Sequence, residues 1–172
     1  YVFTGTGWAT ETKLTANDGS AGDNLGYCVA LSEDGTTIAA GAPGDDENGS
    51  TSGSAYLFHG SDWSMETKIL PSNGAASDNF GSSVSISSAG DAVLIGAYGN
   101  DDFGSSSGSA YLFGGLNWAT ELYITQYDDS SGDYSGHSTA LSSDGNIILT
   151  SAYGDDDNGS SSGSAYIIPL NP

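Results

Sequence analysis

Gly96-Ala97-Tyr98-Gly99-Asn100-Asp101-Asp102-Phe103-Gly104-Ser105-Ser106-Ser107-Gly108-Ser109-Ala110-Tyr111-Leu112-Phe113 has near copies at residues 41–58 and 151–168. Tyr1, Tyr56, Tyr111 and Tyr166 each open the same short apolar run and stand 55 residues apart. Trp8, Trp63 and Trp118 keep that spacing, as do Glu11, Glu66 and Glu121, and Gly26, Gly81 and Gly136, with no insertion or deletion. A repeat of this length is one supersecondary unit that cannot bury its apolar faces alone and must stack on its neighbours. The chain therefore divides into repeats at 1–55, 56–110 and 111–165, with a terminal strand at 166–172.

Composition narrows the functions. Two basic residues against 22 acidic ones give the 172-residue chain a formal charge of −20. That excess repels nucleic acid and anionic membrane surfaces, so neither is an expected partner. No apolar run is long enough to span a bilayer as a helix. Cys28 is the single cysteine, which excludes an internal disulfide; its repeat-mates Ser83 and Ser138 mark the position as one that asks only for a small side chain. The chain begins at Tyr1 without a Met, as a processed or excised piece would.

The second repeat shows the local pattern. Tyr111-Leu112-Phe113 and its mates Tyr1-Val2-Phe3 and Tyr56-Leu57-Phe58 are strand-forming runs, named strand C. Residues 63–70 alternate Trp63, Met65, Thr67 and Ile69 with polar positions, as on a half-buried outer strand D. A polar loop over 71–78 follows, with Asn73-Gly74 as its turn signal. Residues 80–87 read as strand A and the continuous apolar run 92–97 as a strand B buried on both faces, joined by a tight turn whose mates contain Asp34-Gly35 and Asp144-Gly145. No stretch has capped helical periodicity, so the protein reads as all-β, with four antiparallel strands per repeat.

At this point the residues carry a resemblance. Phe80-Gly81 followed by Gly96-Ala97-Tyr98, and Leu25-Gly26 followed by Gly41-Ala42-Pro43, resemble the signatures of FG-GAP repeats, the blades of the integrin α-subunit type of β-propeller. The third copy departs from them at Ser135-Gly136 and Ser151-Ala152-Tyr153. The resemblance implies propeller blades, a secreted or cell-surface location, and a role in adhesion or ligand display. It also implies Ca²⁺ in an Asp-x-Asp-x-Asp-Gly loop between strands A and B. Here that connection is only Ser32-Glu33-Asp34-Gly35, or its mates at 87–90 and 142–145, which are too short and too poor in carboxylates.

The repeat itself offers another cation site. Asp23, Asp78 and Asp133 precede strand A, while Asp45-Asp46-Glu47, Asn100-Asp101-Asp102 and Asp155-Asp156-Asp157 follow strand B. Antiparallel pairing of A with B brings these groups to one edge of every blade, and oxygen ligands without His or thiolate suit Ca²⁺. The competing reading is that these residues cap their own turns. Asn48 and Asn158 stand in glycosylation sequons at one repeat phase, and Phe103 abolishes the third.

Catalysis has little support. His59 and His137 are not repeat-mates, no nucleophile elbow occurs, and acids in every repeat suit architecture better than one active site. The strands run C, D, then A, B, C, D twice, then A, B, C, so the array starts and ends within a blade. Such edges invite strand pairing with other copies or further repeats. The expected function is a non-catalytic extracellular structural or adhesive module, assembling through blade edges as in a surface filament. The alternative is a propeller of a larger secreted or cell-surface protein that binds a glycan or protein, with Trp8, Trp63 and Trp118 as platforms.

Overall fold

The computed structural model describes residues 1–170; positions 171 and 172, the end of the expected terminal strand, lie outside the described residues. The strands are β1 (Val2–Thr4), β2 (Thr10–Thr12), β3 (Val29–Leu31), β4 (Thr37–Ala42), β5 (Ser54–His59), β6 (Met65–Ile69) and β7 (Ser83–Ile86). They continue as β8 (Val93–Ala97), β9 (Ser109–Gly114), β10 (Thr120–Ile124), β11 (Ser135–Leu141), β12 (Ile147–Ala152) and β13 (Ser164–Pro169). The expected strand sequence is the observed one. Strands β3-β4-β5-β6 and β7-β8-β9-β10 form two four-stranded antiparallel sheets, preceded by the pair β1-β2 and followed by the three-stranded β11-β12-β13. The two 3-10 turns, Thr6–Trp8 and Leu116–Trp118, sit in the glycine-rich turns between strands C and D.

Strand B is buried on both faces where a sheet lies on each side. β4 and β8 are buried at every residue; Ala39, with Leu57 of β5, faces the following sheet, and Ile38, with Phe58 of β5, the preceding one. In the last sheet the same run alternates, because nothing among the described residues covers one face: Leu149 is 40% exposed, where its mate Leu94 is 0%. The outer strand departs from the expected alternation. Of Met65, Thr67 and Ile69 only Ile69 is buried, while Met65 points to solvent, because β6 is an edge with packing over one end only.

The signature residues have a packing reason. Phe80 is fully buried between sheets, edge-on to Tyr111 and Phe113 at centroid distances of 5.4 and 6.0 Å. Gly81 follows at φ 88°, and its carbonyl lies where a Cβ on Gly41 would stand; the Gly136 carbonyl does the same to Gly96. Successive sheets thus touch backbone to backbone at a glycine of each, which no side chain permits. Parallel bridges from Gly53 to Phe80 and from Gly108 to Ser135 tie the same corner. The third repeat keeps this geometry through Gly136 although Ser135 has replaced the phenylalanine.

Adding a methyl group at that contact is expected to force the sheets apart. Gly96→Ala should cost more than about 3 kcal/mol in denaturant unfolding, as overpacking against rigid backbone does at its upper end. Gly114→Ala, whose Cβ would find only the Asp91 carbonyl at 3.7 Å, should be within about 1 kcal/mol of the parent.

Candidate cation site at the sheet edge

The acids named in the sequence separate into two groups. Asp23, Asp78 and Asp133 cap the turns that lead into strand A: their Oδ2 atoms accept the amide N–H groups of Ser20, Ala75 and Ser130 at 2.6, 2.8 and 2.6 Å. Their carbonyls accept the N–H of Gly44, Gly99 and Gly154, so the start of A does lie beside the end of B. The middle residues of the triplets also serve the backbone. Asp46 accepts from Thr51 N and Asp101 from Ser106 N at 2.7 and 2.6 Å, while the Asp156 carbonyl accepts from Gly159 N. For these positions turn capping is the role the geometry displays. Asn48 and Asn158 are exposed in the same B-to-C loop.

The first and third members of each triplet form the second group. They meet a residue that the sequence reading passed over, in the loop after strand D of the preceding sheet. In the first repeat Lys68 Nζ lies 2.7 Å from Asp18, 3.0 Å from Asp45 and 2.6 Å from Glu47. In the second the corresponding groups are Asn73, Asn100, Asp102 and, in place of the lysine, Tyr123. The Tyr123 hydroxyl donates to Asp102 at 2.8 Å, and Asn73 Nδ2 donates to Asp102 at 2.6 Å. In the third, Asp128, Asp155 and Asp157 bring carboxylate oxygens within 4.8 Å of one another. Strand D of that sheet, which would carry the counterpart of Lys68, is not among the described strands.

The charges respond accordingly. Burial alone would lower the Lys68 pKa, but the bonds to Asp18, Glu47 and Asp45 outweigh it and raise the ammonium well above the usual lysine range. Lys68 in turn holds the Asp18 carboxyl below its ordinary value. Asp45 is also held low, burial being outweighed by Lys68 and by the Glu47 N–H. In the third repeat the Asp155 charge pushes Asp157 up, whereas the Tyr166 hydroxyl, donating at 2.8 Å, lowers Asp155. Asp128 Oδ1 is buried there without a hydrogen-bond partner.

A signal for this site stands in the sequence: the chain's two basic residues, Lys13 and Lys68, are one period apart, and so are Asp18, Asn73 and Asp128. For the Ca²⁺ expected in each repeat, the donors differ. The three carboxylates of the first set already surround an ammonium, the second has two amides and one carboxylate, and the third brings together three carboxylates with no lysine among them, the oxygen chemistry a hard cation takes. The three Asp residues could hold a metal ion.

The other singled-out residues are structural. Trp63 Nε1 donates to the Gly35 carbonyl at 2.8 Å and Trp118 Nε1 to that of Gly90 at 3.0 Å, anchoring the start of strand D to the A-to-B turn of its own sheet. Cys28 Sγ lies 3.1 Å from the Gly81 carbonyl, and burial pushes the thiol up to about 11. His59 packs edge-on to Trp118, and His137 against Tyr98 and Tyr153. The A-to-B turns cap themselves, Asp34 accepting from Ser32 and Thr36 and Asp144 from Ser142 and Asn146.

Fold and site together define an all-β tandem-repeat protein whose four-stranded sheets stack face to face and share a polar cluster at one edge. The chain belongs to the FG-GAP repeat family, whose model matches residues 8–58, 63–113 and 118–168. Among solved structures it is similar to TolB from Acinetobacter baumannii, with a TM-score of 0.51 and 17% identity over 87% of this chain and 30% of that one. It is also similar to the hydrazine synthase of Kuenenia stuttgartiensis, with a TM-score of 0.50 and 14% identity over 85% of this chain and 45% of that one. Both are propeller-like folds, and the likeness is one of fold. No curated protein matches.

Two substitutions test the electrostatics. Stabilisation from Lys68, whose pKa is raised on folding, is complete below the ordinary lysine value of 10.5 and is lost as pH rises through the folded value. Stabilisation from Asp18 and Asp45 is present above 3.8 and lost as pH falls through their lowered values. Lys68→Tyr should therefore cost about 1–3 kcal/mol at pH 7 and progressively less below pH 3.8. Adding Asp18→Asn and Asp45→Asn, which gives the site the two amides and the tyrosine of the second repeat with Glu47 in place of its aspartate, should restore most of the loss in the same unfolding assay.

Asp129 gives the opposite sign. Its Oδ2 accepts the Gln126 N–H at 2.6 Å and its Oδ1 is buried without a partner. Burial first, then the charges of Asp133 and Asp128, raise its pKa to about 6. The folded state thus binds this proton more tightly, and stability falls as pH rises from 3.8 to about 6. Asp129→Asn is expected to raise the melting temperature at pH 7.5 and to leave it unchanged at pH 3.5.

Proposed function

We propose that the chain is a non-catalytic structural or adhesive module of an extracellular assembly, that its sheets act as propeller blades, and that it associates through the unfinished sheets at its two ends. One observation carries this reading: large apolar side chains are exposed at the two ends and buried at the same phase between. Ile167 is 71% exposed where its mate Leu57 is 0%, and Phe3 is 50% exposed where Phe58 is 3%. Contiguous apolar surface of this kind marks a site of association. A groove of about 970 Å³ runs along the first end, lined by Phe3, Val29, Leu31, Ile38 and Phe58.

The extracellular location rests on the family's usual setting. Among the described residues no helix is long and apolar enough to cross a membrane. In this reading the groups of the polar cluster have a structural role, engaged in turn caps and with Lys68 and Tyr123. Any Ca²⁺ dependence is confined in this reading to Asp128, Asp155 and Asp157.

Electron microscopy and light scattering of the chain, with and without a chelator, test the proposal. Assemblies of two or more copies, closed or polymeric, are expected. A monomer at all concentrations up to several hundred micromolar would sink it, and loss of assembly on chelation would place an ion at the third cluster.

A further inference from the structure

The exposed groups at the two ends are not merely both apolar; they are the separated halves of contacts that the middle of the molecule makes. Every such contact can be read off by moving one end through three repeat periods. Lys68 Nζ, seated among Asp18, Asp45 and Glu47, is the repeat-mate of Lys13, and the three acids are the mates of Asp128, Asp155 and Asp157. The mates of Trp63 Nε1 and the Gly35 carbonyl are Trp8, 74% exposed, and Gly145. The Glu66 carboxylate accepts the Asn17 N–H at 3.1 Å, and the mates of those two are Glu11 and Tyr127.

The apolar surfaces agree with the polar ones. Ala39 and Leu57 of one sheet pack against Val84 and Val93 of the next in a single buried cluster. Their mates at the ends are Leu149 and Ile167 on the last sheet, and Val29 and Ile38 beside the groove of the first. Among the described residues the last sheet has strands A, B and C without D, and the first pair has C and D without A and B.

We infer that a second copy of this chain docks head to tail, its β2 adding as strand D to β13 so that its Lys13 enters the Asp128–Asp155–Asp157 cluster. This rests on the association through end sheets proposed above, and names its partner and its lock. The register is that of β5 with β6, whose five residue pairs translate to Ala165↔Leu14, Tyr166↔Lys13, Ile167↔Thr12, Ile168↔Glu11 and Pro169↔Thr10. Strand β1 of the incoming copy occupies the place that β13 takes, and gives it up at the loss of the three pairs it makes with β2. Lys13 keeps an aromatic ring beside it throughout: Tyr1 at 6.0 Å within the chain, as Tyr56 lies 5.5 Å from Lys68, and Tyr166 after docking. The hairpin β11-β12 then fills the groove beside Val29 and Leu31. Two copies docked reciprocally complete six four-stranded sheets, within the range of about 4 to 8 blades at which propellers close.

Charge-swapped chains test this by analytical ultracentrifugation of the 172-residue chain, with circular dichroism to confirm that each variant is folded; Lys13 is exposed, so its replacement leaves the core intact. Wild type is expected to sediment as two copies, Lys13→Glu as a monomer, and Asp157→Lys with an affinity weakened at least about tenfold. An equimolar mixture of the two variants restores both joints and is expected to associate like wild type. If Lys13→Glu associates as well as wild type, the inference is overturned while association through the ends stands; a monomeric wild type overturns both. Association abolished by chelator and indifferent to Lys13→Glu overturns it in favour of a metal ion in the cluster, and species larger than two copies overturn the closed pair.

Discussion

The contact on which the rest depends is between the backbones of successive sheets. The Gly81 carbonyl against Gly41, and the Gly136 carbonyl against Gly96, leave no room for a Cβ. This fixes how near two sheets approach at one corner, and the fixed approach lets Phe80, Leu57, Val84 and Ile95 close into one buried cluster. Sequence matters little at the corner once both glycines are present. Ser135 has replaced the aromatic of the second repeat, yet the bridge to Gly108 and the Gly96–Gly136 contact persist.

The polar cluster shows a different economy. One location, set by the same backbone, is neutralised in the first repeat by Lys68 among three carboxylates and in the second by Tyr123 with two amides and one carboxylate. Burying acids beside one another costs free energy unless a cation or donors answer them. In the first repeat the carboxylates stand beside a lysine, and where strand D supplies tyrosine in place of lysine amides stand at two of the acid positions. The third set keeps its three carboxylates beside a sheet that has no strand D among the described residues. Its repulsion is visible in the raised pKa of Asp157.

The ends therefore carry the chain's chemistry, while the middle carries its stability. Exposed Phe3, Val29, Leu149 and Ile167 do not differ in kind from their buried mates; they differ in having no sheet above them among the described residues. With 22 acidic residues against two basic ones, the positions of the two lysines are consequential.

The sequence by itself determined the repeat length, the strand order, the all-β class and the family, because period, alternation and turn signals are local and recur without a gap. It also carried the turn-forming role of Asp23, Asp78 and Asp133, since Asx caps are made within a few residues. Only the tertiary structure decided which acids meet. Asp18 reaches Asp45 and Glu47 from the loop after the preceding sheet's strand D, and Lys68 reaches them from the edge of their own sheet; these encounters depend on how one sheet lies over the next. For the same reason Met65 could be read as an inward residue and stands in solvent: alternation specifies two faces of a strand, and only the stacking of sheets says which face is covered.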